Sequence, residues 1–375
     1  MTLPPFPPDY RASGVLLHVT SLPSPYGIGD VASAVAWIDR LREAGQSWWE
    51  ALPRSFSSDA VDYAAVASFK HRLLEIGDLP FFVSPDSSDV WANPELFLLD
   101  EHRRPRFVAG VPPDYFSAEG QLWGNPVYDW DALRRTGYRW WLYRLRALLA
   151  HVDVVRLDHF RGFAAAWHVP AGAPTAQSGR WVPGPGNDLL SAVQNDLGAL
   201  PFIAEDLGQI TPDVYALRDR FGVPGTRVLQ FAFDGHSDNP YLTSTYVANT
   251  VVYTGTHDNP TTREWYEEIP DDQRRNFWSW LKRPGGASHE AAPALMSLAW
   301  SSNAALAIAP LQDVLNLGRE ARMNVPGRAE GNWRWRCTEP MLAGPAFEGL
   351  RELTVASSRS VEQHSPITFA TAVTR

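Results

Sequence analysis

The chain has 375 residues, with 33 basic and 42 acidic side chains and a formal net charge of −9. That balance argues against nucleic acid as a partner, because binding phosphate needs a basic face. One cysteine, Cys337, excludes an internal disulfide and suits a reducing cytoplasm.

Met1–Tyr10 is Pro-rich, without a basic start or an apolar run, and reads as no signal peptide. No stretch approaches the ~18 uninterrupted apolar residues of a membrane span, so no membrane partner is expected. Short apolar runs then alternate with helical patterns, which predicts βαβ units and an α/β fold of the (β/α)8 TIM-barrel type. The length exceeds the ~250 residues of a typical barrel and leaves room for loop insertions at the C-terminal face of the strands. Residues 1–375 are read as one catalytic barrel.

In chain order, the first strand is Gly14–His18 and the first helix Ala32–Ala44, closed by Gly45. The second strand is Trp48–Leu52. A barrel needs a crossover of ten or more residues before the third strand, Gly77–Val83, so Ala60–Glu75 is predicted to be the second barrel helix. Ser84–Asn125 is rich in Pro, Gly, Asp and aromatics and reads as a loop, with 84–126 an excursion over the barrel mouth. The helix Tyr138–Leu149 precedes strand four, Asp153–Leu157; Gly172–Asn187 reads as a second loop. Strand five is Phe202–Glu205. The helix Thr211–Phe221 opens on a Thr cap with Pro212 and stops at Gly222. Strand six is Arg227–Phe231 and strand seven Thr250–Thr254. The helix Asp271–Leu281 and strand eight, Ala305–Pro310, follow, and the tail after Val361 is weakly patterned.

Three of these strands end in acids: Arg156-Leu157-Asp158-His159, Ala204-Glu205-Asp206 and Thr256-His257-Asp258. In a barrel, chemistry gathers at the C-terminal strand ends. Any one of the acids could be a helix cap or an ion-pair partner. Together they suit retaining glycoside chemistry, which needs two carboxyls about 5–5.5 Å apart; adjacent strands lie ~4.8 Å apart. Asp158 then has the place of the nucleophile. Arg156, two residues earlier on the same strand face, can keep it ionised. Glu205 must hold a proton, Asp258 can stabilise an oxocarbenium-like transition state, and His257 can bond a sugar hydroxyl. A metal cluster of Asp158, His159, His257 and Asp258 is the rival, but it leaves Arg156 and Glu205 unexplained. Among 16 Trp, Trp123, Trp333 and Trp335 sit in polar, Gly-rich contexts suited to a sugar-lined groove.

At these residues the chain resembles the 4-α-glucanotransferases of the amylomaltase (disproportionating enzyme) type, glycoside hydrolase family 77. The resemblance runs from about residue 11 to 337. It includes Arg11–His18 with Thr20-Ser21-Leu22-Pro23, Gly77-Asp78-Leu79-Pro80, Asp89-Val90-Trp91, Pro112–Ser117 through Trp123–Pro126, Arg322-Met323-Asn324 with Pro326-Gly327, and Gly331-Asn332-Trp333. It implies Asp158 as nucleophile, Glu205 as acid/base, Asp258 as transition-state stabiliser, and Arg156 and His257 as sugar-site helpers. It also implies a loop, Asp114, Tyr115 and Phe116 through Trp123, that folds over bound glucan. Asn125 and Asn332 join Trp123 as candidate substrate contacts. The implied partners are maltooligosaccharides and α-1,4-glucans, with no metal or organic cofactor.

The chain departs from that family after Leu52-Pro53, where it passes straight to Arg54-Ser55-Phe56-Ser57 instead of an aromatic-bearing loop. A long helical insertion after strand two is largely missing. Two other readings therefore stand beside transfer: an α-amylase-like hydrolase with the same carboxylates, and a glucan-binding barrel with impaired turnover.

Overall fold

The computed structural model describes residues 5–30, 33–52, 73–113, 118–328 and 330–360. Eight parallel strands close into a barrel. They are β1 (Ala12–Leu16), β2 (Trp48–Glu50), β3 (Leu74–Leu79), β6 (Val154–Leu157), β9 (Phe202–Ala204), β10 (Gly225–Val228), β11 (Thr250–Tyr253) and β12 (Leu306–Pro310), and β12 closes against β1. The runs are rich in Val, Leu, Ala and Ile, the near-continuous apolar pattern of parallel strands buried on both faces. Alternate residues point inward. Trp48, Ile76, Val154, Ile203, Val228, Val251, Tyr253, Leu306 and Ile308 meet in one buried cluster inside the barrel. Gly14 is a point of close approach: a Cβ there would lie 2.6 Å from the Cβ and the carbonyl oxygen of Trp48.

All eight predicted strands exist, with shifted ends. The sixth ends at Val228 and gives way to a 3-10 turn over Leu229–Phe231. The third starts earlier than expected. Leu74 and Glu75 belong to β3, which pairs with β2 and β6, so the predicted helix Ala60–Glu75 is corrected at its C-terminal end. Glu75 sits in register with Trp49, so the sheet captures those two residues. The rest of that segment, 60–72, lies outside the described residues, as does the tail from Val361.

A second correction concerns the two regions read as loops. They contribute β4 (Phe107–Val111), β5 (Gln121–Pro126) and β8 (Arg180–Pro183), which join β7 (Ala165–Pro170) in an antiparallel sheet of order β5-β4-β7-β8. These strands are short and carry Gly or Pro, and β5 and β8 are half exposed or more, so local pattern hides them; pairing across some 60 residues makes them. The sheet still lies in the excursion between β3 and β6 and just beyond it.

The ladder between β9 and β10 has one register pair, Gly225 with Ala204. Asp206 supplements it. Its buried carboxylate accepts from Thr226 N at 2.7 Å and pairs with Arg218 at 2.5 Å and Arg227 at 3.4 Å. At the opposite end of the barrel, the buried Arg359 donates to the carbonyls of Ala12, Trp300, Ser302, Ala304 and Ala305. Among the described residues no helix is long and apolar enough to cross a membrane.

Candidate functional site

The site sits where β6, β9 and β11 end. Leu157 and Ala204 are register partners, so the next residues, Asp158 and Glu205, emerge side by side from neighbouring strands. The connection is tight: Glu205 N donates to Leu157 O at 3.0 Å, and Phe160 N to Glu205 O at 3.0 Å. His159 turns through a left-handed backbone (φ 46°). That turn aims its N–H at Glu205 Oε2, 2.9 Å away, so the residue after Asp158 grips the Glu205 carboxyl directly.

The two acids have different environments. Arg156 faces the same way as Asp158, two residues earlier, and its Nη1 lies 3.2 Å from Asp158 Oδ1. Arg156 has a closer partner, Asp78 of β3, at 2.9 and 3.0 Å. The Asp78–Arg156 pair is almost wholly buried, whereas the Asp158 side chain is 40% exposed. Glu205 is only partly exposed, and burial pushes its pKa up to about 8. Arg156 opposes that rise and the Asp158 charge adds to it. Below them Glu50, at the end of β2, is fully enclosed and burial raises it to about 7. The arrangement is a carboxylate beside an arginine next to a carboxyl that stays protonated at neutral pH. Chemically it can attack with one acid and protonate with the other.

Asp258 follows β11 with its side chain 43% exposed. His257 Nε2 lies 3.5 Å from its Oδ2, Asn324 Nδ2 donates to its Oδ1 at 2.5 Å, and Arg322 Nη2 to its backbone oxygen at 3.4 Å. The ring of Trp333 lies between His18 and His257, at centroid distances of 5.4 and 5.7 Å.

Trp123 is brought to the site: its ring meets His159 edge-on at 4.9 Å and remains 38% exposed. Asn125 spends a side-chain donor on Val83 O at 2.9 Å, tying β5 to the chain beyond β3. Asn332 is a loop brace. Its amide donates to Arg328 O and Val325 O and accepts from Val325 N, all within its own turn. A polar hollow of about 710 Å³ runs along that turn, from Asn324 to Arg334. Asp114, Tyr115 and Phe116 lie outside the described residues. Sequence reasoning missed Asp78, Glu50 and Asn324 as site residues. Alternation along β3 was the available signal for Asp78, since it shares the inward face of Ile76. Among the described residues no group of three or more His, Cys, Asp or Glu side chains is arranged to hold a metal ion.

A family model described as 4-alpha-glucanotransferase, glycoside hydrolase family 77, matches residues 57–342. The chain belongs to this family. It is 52% identical over 289 residues to a 4-alpha-glucanotransferase of Thermus thermophilus, covering 76% of this chain and 58% of that protein. It is 53% identical over 276 residues to one of Synechocystis, covering 72% and 54%. The chain thus spans just over half the length of these two relatives.

A third relative, from Aquifex aeolicus, is 49% identical over 466 residues, covering 88% of this chain and 96% of that protein. That alignment is longer than the chain itself, so this family member lacks internal segments that its relative has. Among solved structures, an amylomaltase from Streptococcus agalactiae in complex with acarbose superposes with a TM-score of 0.85 at 28% identity, over 93% of this chain and all of that one.

Proposed function

We propose that the chain is one catalytic unit that transfers 4-α-glucan segments between maltooligosaccharides by retaining double displacement. The observation that carries the reading is geometric: the turn after Asp158 donates His159 N–H to Glu205 Oε2 at 2.9 Å, setting the two acids side by side at the ends of adjacent strands. Asp158 attacks C1 of a glucosyl unit while Glu205 gives its proton to the departing 4-oxygen. The 4-hydroxyl of a second glucan then attacks the ester-linked glucosyl group. Glu205 takes that hydroxyl's proton, Asp158 leaves as carboxylate, and both acids return to their starting states. Asp258, held by Asn324, stabilises the oxocarbenium-like transition state, and His257 bonds a sugar hydroxyl. Trp123 offers an exposed aromatic face. Membership in a glucanotransferase family and the structural likeness to an acarbose-bound amylomaltase support α-glucans as substrates.

Incubation with maltotriose tests the reading. Glucose together with oligomers longer than the substrate is the expected result. Only shorter products would make the chain a hydrolase, and calorimetric binding without any product would make it a glucan-binding barrel.

The pH dependence follows from Glu205. Its proton is required, so turnover should fall at alkaline pH with a midpoint near 8, where the raised carboxyl ionises. The same shift has a stability sign. The folded pKa lies above that of the unfolded chain, so folding takes up a proton between the two values. Stability conferred by that proton is full below the unfolded pKa and is lost as pH rises towards 8. Glu205→Gln should therefore flatten the melting temperature between pH 5 and 8 relative to wild type, with the variant the more stable at the alkaline end. A parallel pH dependence for both proteins would show that Glu205 is not the titrating group.

A further inference from the structure

The segment that carries His257 and Asp258 leaves the barrel at Thr254, at the end of β11, and re-enters regular structure at Thr262, the first residue of the helix Thr262–Glu268. Both ends converge on one side chain. Thr254 Oγ1 donates to Asp313 Oδ2 at 2.6 Å, Thr262 Oγ1 to the same oxygen at 2.6 Å, and Thr262 N to Asp313 Oδ1 at 2.7 Å. Thr254 and Thr262 are fully buried, and Asp313 is 2% exposed. Asp313 itself sits on the short helix Leu311–Val314 directly after β12, the next strand of the barrel. One carboxylate thus closes the loop into a ring and fastens it to the neighbouring strand.

Inside the ring the slack is taken up. Asn259 Oδ1 accepts from Thr256 N at 2.9 Å and Thr256 Oγ1 at 2.8 Å, and Asp258 N donates to Thr256 Oγ1 at 3.3 Å. Gln230 donates to Pro260 O at 2.9 Å. Gly255 lies so close to that amide that a Cβ would approach its Nε2 to 2.7 Å. Asp258 faces outward from this segment, its side chain 43% exposed, and is met from the other side by Asn324. A carboxylate that must follow the small movement of a reacting anomeric carbon gains from a backbone that cannot drift, because displacement by about 1 Å costs on the order of a hundredfold in rate.

We propose that Asp313 is a positioning residue for the reaction, setting the place of Asp258 by clamping both roots of its loop. The proposal rests on the glucan-transfer reading above. Asp313 touches no substrate; it acts through the backbone of 254–262.

The test is a double-mutant cycle read as separate kcat and KM, with an α-maltosyl fluoride donor and a maltose acceptor so that weak variants remain measurable. Asp313→Asn keeps the volume but turns one acceptor into a donor facing two hydroxyls. It should lower kcat ten- to a hundredfold and change KM less than threefold. In an Asp258→Asn background the same substitution should cost less than threefold, because the residue it positions is already gone. Full additivity of the two kcat losses, or a rise in KM at unchanged kcat, would overturn the proposal and leave Asp313 a helix cap.

Thr262→Val guards against a misfolded variant. It deletes one donor only, and a severalfold kcat loss at unchanged circular dichroism is expected; no loss counts against the clamp. Amide exchange separates failure of this idea from failure of the reading beneath it. If the wild-type protein does not turn over glucan, the functional reading fails. The clamp still predicts at least tenfold faster exchange across 255–262 in Asp313→Asn, with the helix Ser288–Ser301 unchanged as internal reference. Unchanged exchange across the loop would overturn the clamp whatever the activity.

Discussion

Asp158→Asn is expected to abolish transfer, with a fall in kcat on the order of 10⁴-fold or more, the scale seen when a covalent nucleophile is removed. The protein should remain folded. Asp158 is 40% exposed and is the farther of the two acids on Arg156, so Asp78 still holds the guanidinium when the Asp158 charge is lost. The melting temperature should move by only a few degrees, because Arg156 keeps its buried partner and loses only the half-exposed, more distant one. Maltooligosaccharide binding by calorimetry should survive, since the amide keeps the side chain's shape. Residual transfer within tenfold of wild type would remove Asp158 from the role of nucleophile.

Arg156→Met is expected to damage both stability and activity, and a second substitution should separate the two. The guanidinium is buried, which opposes its charge, but Asp78 and Asp158 beside it hold it strongly protonated. Removing it leaves Asp78 enclosed with no cation in contact. Breaking a buried pair from one side costs about 3–5 kcal/mol. Asp78, already raised by burial, would respond by taking up a proton. Asp158 loses the cation 3.2 Å from its Oδ1, so activity should fall by roughly 10²–10³-fold, the scale of one lost electrostatic contact to a reacting centre. Adding Asp78→Asn should recover much of the melting temperature, because no unpaired acid then remains, while the activity stays low. Recovery of both together would mean that Arg156 acts only through the fold; recovery of neither would mean that the Asp78–Arg156 contact is not the source of the instability.

The candidate site was legible to the extent that its chemistry is written within single strands. Arg156 and Asp158 are two apart, and a period of two puts them on one face whatever the rest of the chain does. Glu205 and Asp258 each follow an apolar run and could be assigned to strand ends before any strand was paired. What stayed hidden crosses strands. Asp78 holds Arg156 more closely than Asp158 does, a consequence of the register that sets Asp78 opposite Arg156. Asn332, a candidate sugar contact, braces its own turn, while Asn324, eight residues earlier, meets Asp258.

The sequence by itself determined the eight barrel strands, the helices Ala34–Glu43, Arg139–Leu149, Pro212–Arg220 and Asp271–Trp280, and the three acids after strand ends, because periodicity, caps and the polar residue after an apolar run are local signals. Only the tertiary structure decided which acid shares Arg156, which carboxylate closes the 254–262 loop, and that short segments with weak strand character form the sheet β5-β4-β7-β8. Those outcomes depend on register and closure. A strand fixes which face a residue shows, but the partner it meets is set by the stagger of the neighbouring strand, and that stagger exists only once the barrel has closed.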